Sequence, residues 1–323
     1  MLLPGIVAKM LLLGLMNLAT GFACGQNYPY KPLRLVVPFA PGGGVDIVAR
    51  GIAQKLTESL GRTVIVDNRS GAGGSLGAEL TVHAAPDGYT FMLATASLIT
   101  NALLYRVPYD PARDFDAITQ VTAQSSVLIT IPSVPAKTPS ELIAYAKANP
   151  GRLNYASPGN GGLIHLTGEL FQSMTGTHLV HVPYKGASAA YPDILAGRIQ
   201  VAFPSIISVL PYLKSGKVRA LAVTSRTRVY SLPEVPTLSE SGVPGFDVTN
   251  WYGLLAPAGT PRAVIERLQR DTAALLKQPD VIARIAADGS EPVGSTSAQF
   301  TAHIRREIEK WGKVVRQAGI TGE

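Results

Sequence analysis

The sequence predicts an α/β protein of two lobes, each a mainly parallel sheet flanked by helices, with a cleft between them. Three observations lead there. Short apolar runs alternate with helical patterns along most of the chain, which favours strand–helix–strand units and parallel pairing. A glycine-rich loop follows a strand and precedes a helix twice, near residues 39–44 and again at 157–162. The length, 323 residues, exceeds what one core usually serves.

Taken in order, the first 25 residues read as a secretory signal: Lys9, a short apolar stretch, then small residues. The apolar stretch is shorter than the roughly 20 residues of a membrane span. Cleavage is expected between Ala23 and Gln26. Cys24 is the only cysteine, so no internal disulfide can form. A cut just before Cys24 would instead leave a lipid-anchored terminus, but residues 21–23 make a poor lipobox. The expected location is the periplasm.

The apolar run from Leu33 to Val37 is the first strand. Phe39, Pro41, Gly42, Gly43 and Gly44 follow, and then Val48, Ile52, Leu56 and Leu60 recur every four residues as a helix face. Glycines let the backbone approach a ligand closely. The first amides of a helix lack intrahelical partners, so this junction is a candidate anion site. Asp46 either touches a ligand or supports the helix start and pairs with Arg50, four residues on. A second strand at 64–66 ends in a loop, 71–74, that either lines the cleft or only packs. A third strand is expected at 89–94 and strand-like pattern from 115 to 131.

The middle of the chain repeats the plan. A helix at 139–148 precedes a strand at 153–156, the loop carrying Ser157, Gly159, Asn160, Gly161 and Gly162, and a helix whose face holds Leu163, Leu166 and Leu170. His165 either reaches the cleft or hydrogen-bonds a neighbouring loop. Tyr184 and Lys185 follow the strand at 180–182, and Lys185 is either a counter-charge or a surface lysine. Further strands are expected at 199–203 and 218–223. After a Pro- and Gly-rich connection at 232–245 comes a strand at 248–256, with Trp251 packing on a ligand or in the core. The remainder is helical and must cover the first sheet. The middle unit, 126–224, is therefore an insertion in a lobe made of 27–125 and 225–323, with crossings near Ser126 and Thr224. Ligands in such pairs sit between domains at the carboxyl ends of strands.

Charged residues are 16% and apolar ones 46%, which excludes a disordered chain. The net charge of +7 is diffuse, without a run of Lys or Arg. That fits an anionic small ligand better than nucleic acid. The five histidines show no metal-ligand spacing, and no cofactor is expected. Residues 73–77 match G-x-S-x-G, but a nucleophile elbow needs its serine straight off a strand. Here the strand ends well upstream, so a secreted serine hydrolase is a weak alternative.

Seven separated stretches resemble the Bug family, the TctC-like extracytoplasmic solute receptors of tripartite tricarboxylate transporters. They are PLRLVVPFAPGGGVD at 32–46, VIVDNRSGAGG at 64–74, NYASPGNGGLIHL at 154–166, HVPYKG at 181–186, LKSGKVRALAVTS at 213–225, VPTLSESG at 235–242 and WYGLLAPAGTP at 251–261. The resemblance implies a two-lobed, type II-like periplasmic binding protein that closes on a small carboxylate. It also implies membrane transporter subunits as partners, and a monomer is expected. A sensor subunit for a membrane kinase would look the same in sequence. Gly162 stands where such proteins more often carry Ser or Thr, and Pro204 where a polar or acidic residue is common. Both changes point to a less polar ligand, an aromatic or longer-chain carboxylate rather than a small amino acid.

Overall fold

A computed structural model describes residues 28–42, 44–184, 187–287 and 289–321. The expected signal segment with Cys24, and the site candidates Gly43 and Lys185, lie outside the described residues.

The chain opens with β1 (Leu33–Val37), α1 (Gly44–Leu60) and β2 (Val64–Asn68). A 3-10 turn at Ala72–Gly74 leads into α2 (Ser75–Val82), β3 (Thr90–Thr95), α3 (Ser97–Leu104) and the long β4 (Phe115–Ser125). The middle unit follows as β5 (Val127–Thr130), α4 (Pro139–Ala148), β6 (Asn154–Ser157), α5 (Leu163–Thr175), β7 (Val180–Pro183), α6 (Tyr191–Leu195), β8 (Val201–Ala202), α7 (Ile206–Lys214) and β9 (Arg219–Val223). The return leg is β10 (Thr249–Pro257), α8 (Arg262–Leu275), α9 (Pro279–Ala287), β11 (Glu291–Pro292) and α10 (Ser297–Ala318).

Two sheets result. One has the order β11-β4-β10-β3-β1-β2, the other β7-β6-β8-β5-β9. β1 lies parallel between β2 and β3. Covered on both faces, it is apolar at four of its five positions, as parallel strands are. The sheets are nevertheless mixed rather than mainly parallel. β10 runs antiparallel to both β3 and β4, and β5 antiparallel to both β8 and β9. The physical reason is connectivity. Strand–helix–strand segments give parallel neighbours, whereas β4–β5 and β9–β10 carry the chain between the sheets, and a strand that returns runs opposite to the one that left.

The stretch from 115 to 131 is therefore not one strand. It breaks at Ser126, and β4 and β5 belong to different sheets. The outgoing and returning segments hold each other there. The Ser126 N–H donates to Thr224 Oγ1 at 3.0 Å, the Thr224 N–H to the Ser126 carbonyl at 2.9 Å, and the Val248 N–H to the Thr224 carbonyl at 2.8 Å.

One apolar core, around Leu35, Phe91, Leu254, Ile52 and Leu268, lies on one side of the first sheet, beneath α1 and α8. The other runs from the opposite side, at Val36, Met92, Trp251 and Phe300, through the crossing into the second sheet at Ile129, Tyr155 and Phe203. α10 packs on β4, as the terminal helices must, and also on α3 and α5. Two helices that the sequence pattern does not announce, α3 and α7, complete the fold. Both are short, and α3 starts only one residue after β3, leaving no turn signal between them. Among the described residues no helix is long and apolar enough to cross a membrane.

Candidate functional site

A cleft of about 1110 Å³ opens between the sheets. It lies at the carboxyl ends of β1, β3, β6 and β8, where the loops following those strands turn into helices. Phe39 comes from the first of these loops, Thr95 and Ser97 from the β3–α3 junction, residues 157–162 from the β6–α5 loop, and Phe203, Pro204 and Ser205 from the β8–α7 loop.

Four helices start at this cleft, and none has a side-chain cap. The cap positions are Gly74 for α2, Ala96 for α3, Gly162 for α5 and Ser205 for α7. Elsewhere the sequence does supply caps. Thr138 accepts from the Glu141 N–H at the start of α4, and Thr296 forms a full capping box with Gln299 at the start of α10. Helix starts left without caps present first-turn amides and positive dipole ends to an anion, although at α3 the Ser97 N–H already donates to Thr95 Oγ1 at 3.3 Å.

The β6–α5 loop is held from behind by an aromatic stack. His165 and His181 lie face to face with ring centres 3.8 Å apart, and Tyr155 stacks on His181 at 4.9 Å. The Gly161 N–H donates to His165 Nδ1 at 2.9 Å, which places the imidazole proton on Nε2, 3.9 Å from the Glu169 carboxylate. Burial holds His165 below the usual histidine range, against an opposing pull from Glu169. Burial, then the neighbouring His165, brings His181 down to about 4. Both rings are thus neutral at pH 7.

The Ser157 hydroxyl donates to the Gly159 carbonyl at 2.9 Å and sits 2.6 Å from His181 Nε2. It faces its own loop, so Ser157 shapes the cleft wall rather than offering a free hydroxyl donor. His165 does the same work one turn into α5 and is not part of the cleft wall. Gly159, Asn160, Gly161, Gly162 and Pro204 do line the cleft.

The loop after β1 behaves differently. Phe39 lines the cleft, but Pro41, Gly42, Gly44 and Asp46 do not. The Asp46 carboxylate, 3% exposed, folds back over the loop. It accepts from the Gly42 N–H at 2.9 Å, from Asn68 Nδ2 at 2.9 Å and from Arg50 Nε at 2.9 Å. Burial would raise its pKa, but the bonds from Arg50, Gly42 and Asn68 prevail and hold it below the ordinary carboxylate value. This end of the α1 junction already holds an internal anion.

On the first-sheet side the wall is built instead by Ala72, Gly73, Ser75, Thr95, Ser97 and Asn101. Asn101 Nδ2 donates to the Gly73 carbonyl at 3.0 Å and to Ser75 Oγ at 3.2 Å, pinning the 3-10 turn to α3. Of the 71–74 loop, Ala72 and Gly73 face the cleft. The Ser75 of G-x-S-x-G is the first residue of α2, and its hydroxyl partners are Asn101 and Tyr109. Tyr184 stands outside the cleft wall and donates to Asp193 Oδ2 at 2.7 Å. Burial, then that partner, pushes its pKa up to about 12. Trp251 is fully buried against Phe300, while its neighbours Asn250 and Tyr252 reach the cleft. Tyr105, Arg106 and Tyr191 are further wall residues that no motif marks.

The model of the tripartite tricarboxylate transporter receptor family matches residues 48–320. The chain belongs to this family. BugT of Bordetella pertussis is 37% identical over 297 residues, 91% of either chain. Among solved structures, a protein of R. palustris with adipate is 36% identical, with a TM-score of 0.73 over 92% of this chain and all of the other. MatC of Rhodopseudomonas palustris, with bound malate, is 31% identical, with a TM-score of 0.69 over 89% of this chain and all of the other. The family is one of extracytoplasmic solute-binding receptors, and the two-sheet architecture matches theirs.

Proposed function

We propose that this chain captures a small organic carboxylate in the periplasm, between two lobes, for uptake by a tripartite tricarboxylate-type transporter. The observation that carries the reading is the convergence on one cleft of four helix starts that lack an N-cap side-chain bond. Related receptors solved with adipate and malate support a carboxylate ligand. Segments 27–125 and 225–323 form one lobe and 126–224 the other, and the paired crossings at Ser126 and Thr224 act as the hinge.

The energetics require both walls. A hydrogen bond to a charged group contributes about 1.5–3 kcal/mol. Micromolar affinity needs about 8 kcal/mol net, after association costs of order 4 kcal/mol or more. Several donors must act together, and no single loop presents enough. Closure is then favoured only with ligand in place, and the closed form is what the membrane subunits recognise. The receptor works as a monomer.

A thermal-shift screen of mono-, di- and tricarboxylates, aliphatic and aromatic, tests this. A bound acid raises the melting temperature by mass action, and its neutral amide does not. Failure of every acid, or equal shifts by the amides, would remove the carboxylate reading.

A further inference from the structure

The loop at 157–162 is fastened by two imidazoles that rest on each other. The Gly161 N–H donates to His165 Nδ1 at 2.9 Å. His181 reaches the other half of the loop through Ser157, whose hydroxyl donates to the Gly159 carbonyl at 2.9 Å and accepts from the Gly159 N–H at 3.2 Å. The remaining lone pair of Ser157 Oγ faces His181 Nε2 at 2.6 Å, so that nitrogen carries the ring proton. The two attachments therefore differ in kind. His165 holds Gly161 through an acceptor atom, whereas His181 holds Ser157 through a donor.

Only the first attachment is lost when a proton arrives. A neutral imidazole takes its second proton at the bare nitrogen. On His165 that atom is Nδ1, and two N–H groups then point at each other across the 2.9 Å that separated donor from acceptor. On His181 the bare atom is not the one that meets Ser157, so that bond survives. The groups facing the pair decide which ring charges first. Glu169, from α5 itself, lies 3.9 Å from His165 Nε2 and favours a charge there against burial. From β6, Tyr155 stacks on His181 and donates its hydroxyl to Glu169 at 2.6 Å. From β7, His181 lies 3.8 Å from His165, ring centre to ring centre, so a charge on one opposes a charge on the other. His165 therefore takes the proton. Glu169 offsets it, so what reaches the cleft is a change of shape more than of charge.

Gly161 is also the point where this loop meets α3 across the cleft. A methyl added at Gly161 would lie 2.5 Å from Leu104 Cδ1. The fit leaves no slack, so a Gly161 displaced from His165 cannot keep its place on Leu104. We propose that His165 is a proton-operated latch: at neutral pH it holds Gly161 against Leu104, and in mild acid it lets go of the loop and of that contact together. His165 is thus a positioning residue that ties the shape of the cleft wall to pH. The inference goes beyond the carboxylate reading and does not depend on which solute the cleft takes.

NMR on the full mature chain, without solute and with isotope-labelled histidine, glycine and leucine, tests it. From neutral pH down to about pH 5, His165 Nδ1 should gain a proton. With the same midpoint, the Gly161 amide should lose at least about tenfold in hydrogen-exchange protection. The Overhauser contact between the Gly161 α-protons and the Leu104 methyl should fade in step. The Gly176 amide, bonded to the Gln172 carbonyl at the far end of α5, reports folding and should not change. His165→Asn keeps an acceptor oxygen but takes no proton, so Gly161 protection and the Leu104 contact should persist through the titration. If that variant does not fold, the wild-type midpoints alone decide. The latch is wrong if His165 stays neutral throughout, if Gly161 stays protected once His165 is charged, or if His165→Asn responds to acid as the wild type does. None of these outcomes touches the carboxylate reading, which the thermal-shift screen tests.

Discussion

Two glycine-rich loops precede helices in this receptor, and they have opposite fates. The loop after β1 is closed over by its own helix, because Asp46 in the first turn of α1 turns its carboxylate back onto the Gly42 amide. The loop after β6 precedes α5, whose first turn carries no acidic residue, and nearly all of it faces the cleft. Similar backbone chemistry thus yields a loop with a built-in negative charge in one case and, in the other, a cleft-facing loop whose Gly161 and Gly159 amides are held by uncharged side chains, His165 and Ser157. The difference lies in the charge of the side chain that folds back: Asp46 neutralises the positive helix start itself, whereas neutral His165 leaves that end of α5 without a counter-charge.

The largest test of this contrast is Asp46→Ala. It leaves the Gly42 amide, Asn68 and Arg50 without their acceptor and should lower unfolding free energy by about 2–3 kcal/mol in urea titrations, while ligand affinity changes little. The sign with pH follows. The Asp46 pKa is lower folded than unfolded, so its contribution is present above the unfolded value near 4 and disappears as pH falls through the folded value. The wild type should lose stability on that acid limb more steeply than Asp46→Ala.

Next is a matched pair of glycine substitutions. Gly42 and Gly161 both have left-handed φ, at +88° and +70°, so alanine at either carries a strain of roughly 1–2 kcal/mol. A methyl at Gly42 meets nothing within 4 Å, whereas one at Gly161 collides with Leu104 across the cleft. Gly42→Ala should therefore lower stability alone, and Gly161→Ala should lower stability and weaken ligand binding more than tenfold. Equal binding by both variants would break the distinction between the loops.

The smallest effect concerns the histidine stack behind the open loop. A histidine whose folded pKa is depressed stabilises the fold above its unfolded pKa, and that stability is lost as pH falls towards the folded one. For His181 the window runs from the ordinary 6.5 down to about 4. The urea midpoint should fall across that range, and His181→Gln should flatten the slope.

Much of the fold was legible in the sequence. The four-residue recurrence of Val48, Ile52, Leu56 and Leu60 places α1, and Pro139 after Thr138 marks the start of α4. The helix α3 was not legible. Eight residues carrying no charge and following a strand almost without a break give no turn or cap signal, yet α3 contributes Ser97, Thr100 and Asn101 to the cleft wall. His165 was left between two roles by its position on a helix face, and its bond to the Gly161 amide resolves it as a support for the loop.

Residue order by itself determined the strand–helix alternation, the two glycine junctions and the family resemblance, because periodicity and turn chemistry are set by neighbours a few positions apart. Which helix starts stay open to a solute was decided only by the packed molecule. That outcome depends on contacts between distant residues: Asn68 reaching Asp46, Leu104 meeting Gly161, and His181 bonding Ser157. A backbone amide is available to a ligand only if no side chain brought in from elsewhere has already satisfied it.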